Sequence, residues 1–346
     1  MANSPQLVSN KIEVPDSIEE VTEYYYRRGW TDGLPIVPPT EDRVEKMLTG
    51  TTRKAEDVIG EVAPTYDEAT VEKIAINAVM AGCLPQYMPV IITAVEALIE
   101  KQFNLYAMQT TTHSATPLII INGPIRKELG INSGYNVFGQ GTMANATIGR
   151  AIRFIQLNIG GGIPGKVDRS TQGASCKYSF CIAENEEKSP WPPLHVDLGF
   201  DPSASTVTAL MAENPHNIND HSSIDGPGIL TTIVGTITTQ GSNNLLYRSG
   251  EVLLALCPEH AATIAGSGFS KQDVKHLLYE KARLPRSVFS PRQQELRFPD
   301  LKPDDLISVA YEENAILVIV AGGAGKHSAF CPNFGFGKFV TKQIKP

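Results

Sequence analysis

Pro117-Leu118-Ile119-Ile120-Ile121-Asn122-Gly123-Pro124 is an unbroken apolar run that stops at an Asn-Gly-Pro turn. Such a run, bounded by turn formers, reads as a buried strand. Helical spacing flanks it. Val71, Ile74, Ala75, Ala78 and Val79 share one face over residues 70–80, with Gly82 closing that helix, and Pro89 opens a second helix over 89–100. Beyond the strand, Ile148, Ala151, Ile152 and Ile155 mark a helix over 144–157.

The same alternation returns later. Residues 251–257 and 315–320 read as strands, and 259–266 and 270–283 as helices, the second with Ser270 as N-cap. Residues 229–239 are dominated by Ile, Val and Thr and read as a further strand. Residues 304–309 read as a strand or a turn. Two helices over 17–29 and 41–48, with Ser17 and Thr40 as caps, precede everything else. Strands alternating with helices define an α/β protein with mixed or parallel sheets flanked by helices. Residues 117–123 and 315–322 echo one another, each an apolar strand running into a glycine turn. Two related α/β units, or coincidence, explain the echo. The expected division is an N-terminal arm with helices (1–55), a first α/β unit (56–165), a polar loop-rich segment (166–228) and a second α/β unit (229–346).

The chain has 346 residues with 30 Lys+Arg against 37 Asp+Glu, a net charge of −7. An acidic chain without a basic stripe argues against nucleic acid and against an anionic membrane surface as partners. No apolar run reaches the ~18–20 residues of a membrane span. The first 14 residues lack the charged and apolar regions of a secretory signal, and five cysteines are an odd number, so a reducing cytoplasm is the expected location.

The chemistry concentrates between Lys166 and His221. His216 and His221 stand five apart with Asp220 beside the second, a two-His, one-carboxylate set that suits a divalent transition metal. The alternative is an Asx-rich turn whose side chains satisfy the backbone. His113 and His195 are candidate further ligands or acid–base groups. Glu184 and Glu186 would share a strand face with Glu187 pointing away, and two carboxylates facing a cavity would raise one pKa and yield a general acid or base. Glu184 or Glu187 is the expected base. Cys181 is a conditional nucleophile, its alternative being a small buried hydrophobe.

Gly322-Gly323-Ala324-Gly325-Lys326-His327-Ser328 follows a strand. Its backbone N–H groups, with Gly323, Gly325, Lys326 and His327 as the contact residues, suit a carboxylate or another small anion. Neither this loop nor residues 160–165 has Walker spacing, and Gly139-Gln140-Gly141 does not continue as a dinucleotide fingerprint, so no nucleotide cofactor is expected.

Taken together, the stretches 29–40, 81–89, 112–133, 145–158, 177–195, 215–221, 258–283 and 321–328 resemble the bacterial family of large components that accompany, or are fused to, small proteins carrying a selenocysteine/Cys-Gly-Ser-Cys motif. Those small partners resemble subunits of glycine- and proline-type reductases. The resemblance implies a thiol- or selenol-dependent step on a small organic substrate. This chain has no Cys-Gly-Ser-Cys of its own, so the redox centre would lie in trans, on a thioredoxin-like or Cys/Sec-Gly-Ser-Cys protein. Two functions stay open: an enzyme cleaving or adding at a C–X bond of a small polar or carboxylate-bearing molecule (lyase, hydrolase or thiol-linked reductase), and a non-catalytic substrate-binding subunit of a thiol/selenol redox system. A homo-oligomer is expected in either case.

Overall fold

A computed structural model describes residues 7–345. The strands among them are, in chain order, β1 (Val58–Val62), β2 (Asp67–Thr70), β3 (Thr116–Asn122), β4 (Cys181–Ala183), β5 (Thr206–Ala212), β6 (His216–Asn219), β7 (Val252–Leu256), β8 (Arg283–Pro285), β9 (Leu306–Ser308), β10 (Ile316–Val320), β11 (His327–Cys331) and β12 (Val340–Gln343). Eight of them build two four-stranded mixed sheets, one in the order β12-β5-β3-β4 and the other in the order β6-β11-β7-β10. The hairpins β1-β2 and β8-β9 stand apart.

Alternation along the strands makes each sheet two-faced. Ile119, Ile121, Cys181, Ala183, Val207, Ala209 and Met211 face the helices Val71–Ala81, Met88–Leu98 and Met143–Asn158. Leu118, Ile120, Ile182 and Leu210 face the other way and meet Leu253, Ala255, Leu317 and Ile319 of the second sheet. The second sheet's outer face, with Val252, Leu254, Leu256, Ile316 and Val318, packs on the helices Gly226–Ile237, Pro258–Gly266 and Lys271–Lys281. The order of layers is therefore helix, sheet, sheet, helix. Burial on both faces explains why β3, β5, β7 and β10 contain no exposed position.

The two sheets share one topology. β3 is parallel to β4 and antiparallel to β5, which is antiparallel to β12. β7 is parallel to β10 and antiparallel to β11, which is antiparallel to β6. The fourth strands are exchanged: β6 follows β5 in the chain but joins the second sheet, and β12 follows β11 but joins the first. The crossing segments pair with each other, through an antiparallel bridge between Ala212 and Asn333 and a bond from Glu213 N–H to the Pro332 carbonyl (2.9 Å). The chain thus contains two related α/β units, with β3 equivalent to β7 and β4 to β10. The echo in the sequence matched the wrong members, β3 with β10, because both are apolar and both end in glycine.

One further expectation is corrected. Residues 229–239 are not a strand: Gly226–Ile237 is a helix, with Asp225 capping Gly228 N–H, Pro at its start, and Ile229, Leu230, Ile233 and Ile237 on its buried face. Burial at helical spacing overrides the β preference of Ile, Val and Thr. The segment 166–228 also supplies β4, β5 and β6, and β5 is a wholly buried central strand. No helix among the described residues is long and apolar enough to cross a membrane.

Candidate functional site

β6 and β11 run antiparallel, with His216 opposite Phe330 and Asn219 opposite His327. This register separates His216 from His221. His216 starts β6 and His221 lies beyond its other end, a strand rise of ~3.3 Å per residue apart along the sheet. Asp220 is engaged elsewhere. Its carboxylate accepts from Ser222 N–H (3.1 Å), Ser223 N–H (2.8 Å), the Ser223 hydroxyl (2.8 Å) and the Thr232 hydroxyl (2.7 Å). The Thr232 hydroxyl above all, with these other donors, holds it well below the usual carboxylate range. Asp220 is the Asx turn that leads into the helix Gly226–Ile237, so His216, Asp220 and His221 do not form the expected metal set. Among the described residues no group of three or more His, Cys, Asp or Glu is placed to hold a metal ion.

The register brings His221 and His327 together instead. Their Nε2 atoms are 3.3 Å apart and their rings meet edge to face at 5.1 Å. His327 Nδ1 lies 2.9 Å from Asn217 Oδ1. An amide oxygen only accepts, so the His327 proton sits on Nδ1, its Nε2 carries the lone pair, and His221 donates to it. Asn217 carries one signal in the sequence, its position two residues before Asn219 on the same strand face.

His327 and Asn217 line a cleft of about 440 Å³. Ala255, Ala321 and Ala329 keep its floor low, and the loop Tyr135–Gly139 of the first unit forms the opposite wall. Tyr135 lies against Gly323, where a Cβ would stand 2.1 Å from the ring. The glycine loop does not act as a complete anion nest. Gly325 N–H is taken by Glu259 Oε1 (2.8 Å), and Lys326 Nζ donates to the His221 carbonyl (3.3 Å). Among the described residues, Gly323 and Ala324 N–H have no protein partner and remain free for a ligand.

His260 supports this arrangement from behind. Its Nδ1 is 2.8 Å from the Ser328 hydroxyl, and its Nε2 donates to the Asp220 carbonyl at 3.0 Å. Ser328 Oγ in turn accepts from Cys257 N–H (3.0 Å). Burial lowers the His260 pKa and keeps the ring neutral. The network ties β11 to the turn that carries His221.

A second polar cluster lies at the C-terminal ends of β3 and β4, where sites in α/β sheets commonly form. β4 stops at Ala183, and the following turn folds Glu184 and Glu186 onto Asn122, whose Nδ2 donates to Glu184 Oε2 (2.6 Å) and Glu186 Oε1 (3.1 Å). Gly123, at φ 85°, passes under the Ala204 carbonyl, where a Cβ would stand at 2.2 Å, and donates its N–H to Glu186 Oε1 (2.8 Å). Arg126 donates to the Glu184 carbonyl (2.9 Å), to Glu186 Oε2 (2.8 Å) and to Glu187 Oε1 (2.9 Å). Arg126 holds Glu187 down to about 2, which leaves it a poor base at neutral pH. Burial pushes Glu184 up to about 7, in the range of a general acid or base. Asn122 and Arg126 were not read from the sequence as site residues.

The remaining candidates are dispersed. His195, on the short helix Leu194–Asp197, is fully buried with Nδ1 4.0 Å from Glu186 Oε1. His113 lies at the opposite ends of the strands, donating to Glu213 Oε1 (3.0 Å). Cys181 faces the first helical layer, and burial pushes its thiol far up, so it is the small hydrophobe rather than a nucleophile. All five cysteines are unpaired and buried.

No family model matches the chain, and no curated protein matches it.

Proposed function

We propose that the chain is an acid–base enzyme acting on a small carboxylate-bearing molecule held in the cleft between Tyr135 and His327. The observation that carries this reading is the fixed tautomer of His327, with Asn217 on Nδ1 and His221 beside a basic Nε2 at the edge of the cleft. Gly323 and Ala324 N–H receive the carboxylate. With His221 turned from it to the leaving group X, His327 Nε2 removes a proton from the carbon adjacent to the one that bears X, the electron pair closes a C=C bond, X departs with the Nε2 proton of His221, and His221 regains a proton from His327 across their 3.3 Å contact. Run backwards, the same groups add HX across the double bond.

A second reading is favoured by the burial of every thiol. A chain that presents substrate to a Cys/Sec-Gly-Ser-Cys partner, as the resemblance implies, needs the same cleft and no reactive cysteine of its own. The proposed location is the cytoplasm, where unpaired thiols persist.

The test is a thermal-shift and calorimetric screen of small hydroxy-, amino- and halo-carboxylates, with turnover followed for each binder. The reading predicts that a carboxylate binds and that His327→Ala abolishes turnover. Binding without turnover supports the substrate-presenting subunit. No binding by any carboxylate overturns both.

A further inference from the structure

Four fully buried polar atoms at the C-terminal ends of β3 and β4 have no hydrogen-bond partner within the protein: Asn122 Oδ1, Glu184 Oε1, His195 Nδ1 and Thr206 Oγ1. Each of these residues is 0% exposed. They are neighbours. Thr206 is the antiparallel register partner of Asn122, so both side chains stand on one sheet face. Asn122 bonds Glu184 at 2.6 Å and Glu186 Oε1 at 3.1 Å, and His195 Nδ1 lies 4.0 Å from that same Glu186 oxygen. A buried polar atom left unpaired costs ~1–3 kcal/mol, so four in one place call for an occupant.

The chemistry of the set selects that occupant. An amide oxygen only accepts, as do the oxygens of Glu184 when it is ionised, and a threonine hydroxyl can accept. When His195 Nε2 donates to the Pro202 carbonyl, 3.4 Å away, Nδ1 carries the lone pair. The cluster is therefore acceptor-rich and repels an anion. Its charges agree. Arg126, Lys127 and Lys271 are paired with Glu186, Glu187 and Asp197, and Glu184 feels the charge of Lys271 but forms no ion pair with it. A buried carboxylate without a counter-ion is strongly disfavoured.

We propose that Asn122, Glu184, His195 and Thr206 bind one small monovalent cation. Ammonium matches four acceptors with four N–H donors, and an alkali ion uses the three oxygens. The site is separate from the His327 cleft and does not depend on its assignment.

The test uses the full chain. Melting temperature is measured at constant ionic strength in ammonium, potassium, sodium, lithium and choline chlorides. The expected result is a saturable rise with ammonium or an alkali ion that choline does not give. Glu184→Gln and Thr206→Val each weaken the apparent affinity by about tenfold or more. Thr206→Val keeps the test valid if Glu184→Gln fails to fold. Ammonium and the alkali ions are told apart by which salt saturates first, and a slowly exchanging bound ¹⁵N-ammonium resonance identifies the former. Equal melting in all salts, or a specific shift that survives both substitutions, overturns the proposal.

Discussion

The backbone N–H of Asn185 donates to the carbonyl of Val320 at 2.7 Å. This bond joins the end of β4 to the end of β10, the equivalent strands of the two units. The Asn185 side chain adds a bond to the Gly322 carbonyl (3.3 Å). Asn185 therefore stands between Glu184 and the glycine loop, with the buried cluster on one side and the cleft on the other. Ser133 reinforces the junction by accepting from Gly322 N–H (2.9 Å). The duplicated architecture thus brings both candidate sites to one end of the sandwich.

The wall of the cleft is sensitive at Gly323. A methyl group there displaces the Tyr135 ring, which is 72% exposed and free to swing away. Gly323→Ala should change stability by less than ~1 kcal/mol, because a mobile surface ring yields cheaply, yet it should weaken ligand binding. Chemical denaturation and calorimetry on the same variant check both halves.

Glu184 makes stability depend on pH. Its ordinary value is 4.5 and its folded value about 7, so the folded state binds more protons between these limits. Stability then falls as pH rises from 4.5 to 7, by about 3 kcal/mol at most. Glu187, held down to about 2, loses its contribution only as pH falls below this window. Urea denaturation in choline buffer should show the falling limb for the wild type and a flatter profile for Glu184→Gln. Parallel profiles would contradict the burial argument.

The five buried thiols should be inert in the native state. Burial pushes Cys83 and Cys176 up to about 12, and raises the others as well. A chromogenic disulfide reagent should react with all five only after denaturation. A fast-reacting thiol in the folded chain would reopen the case for Cys181 as a nucleophile.

Asp220 should act as a structural group. Asp220→Ala removes four hydrogen bonds that organise the turn before the helix Gly226–Ile237, and a loss of ~2–3 kcal/mol is expected. Added zinc, nickel or iron should not stabilise the wild type over the variant. Metal-dependent stabilisation confined to the wild type would restore Asp220 as a ligand.

The local signals in the sequence proved readable where one physical effect dominated. The helical stripe of 70–80 and 144–157 and the apolar runs at 117–122, 251–257 and 315–320 correspond to elements of the structure. Thr206–Ala212 was hidden because its two threonines lie within a long polar stretch, although both are fully buried. The β-branched residues of 229–239 masked a helix whose pattern of Ile229, Leu230, Ile233 and Ile237 was visible in retrospect. The glycine loop was placed beside a pocket, and the Asx-turn alternative for Asp220 is the one that the structure contains. The pairing of His221 with His327 had no local signal. It depends on the exchange of β6 into the second sheet, a contact between residues 106 apart. Arg126 has no local signal for the same reason, since its carboxylate partners lie about sixty residues away.

The central claim is that a small carboxylate binds beside His327, and histidine side-chain NMR tests it most directly. Of the seven histidines, His327 lines the cleft with His221 against its ring, while His276 lies on the outer helix Lys271–Lys281, paired with Glu313. Titration of ¹⁵N-histidine-labelled protein with the tightest carboxylate of the screen should shift the His221 and His327 ring nitrogens in a saturable way and leave His276 in place. Uniform shifts across all histidines, or none at His327, would contradict the assignment of the cleft.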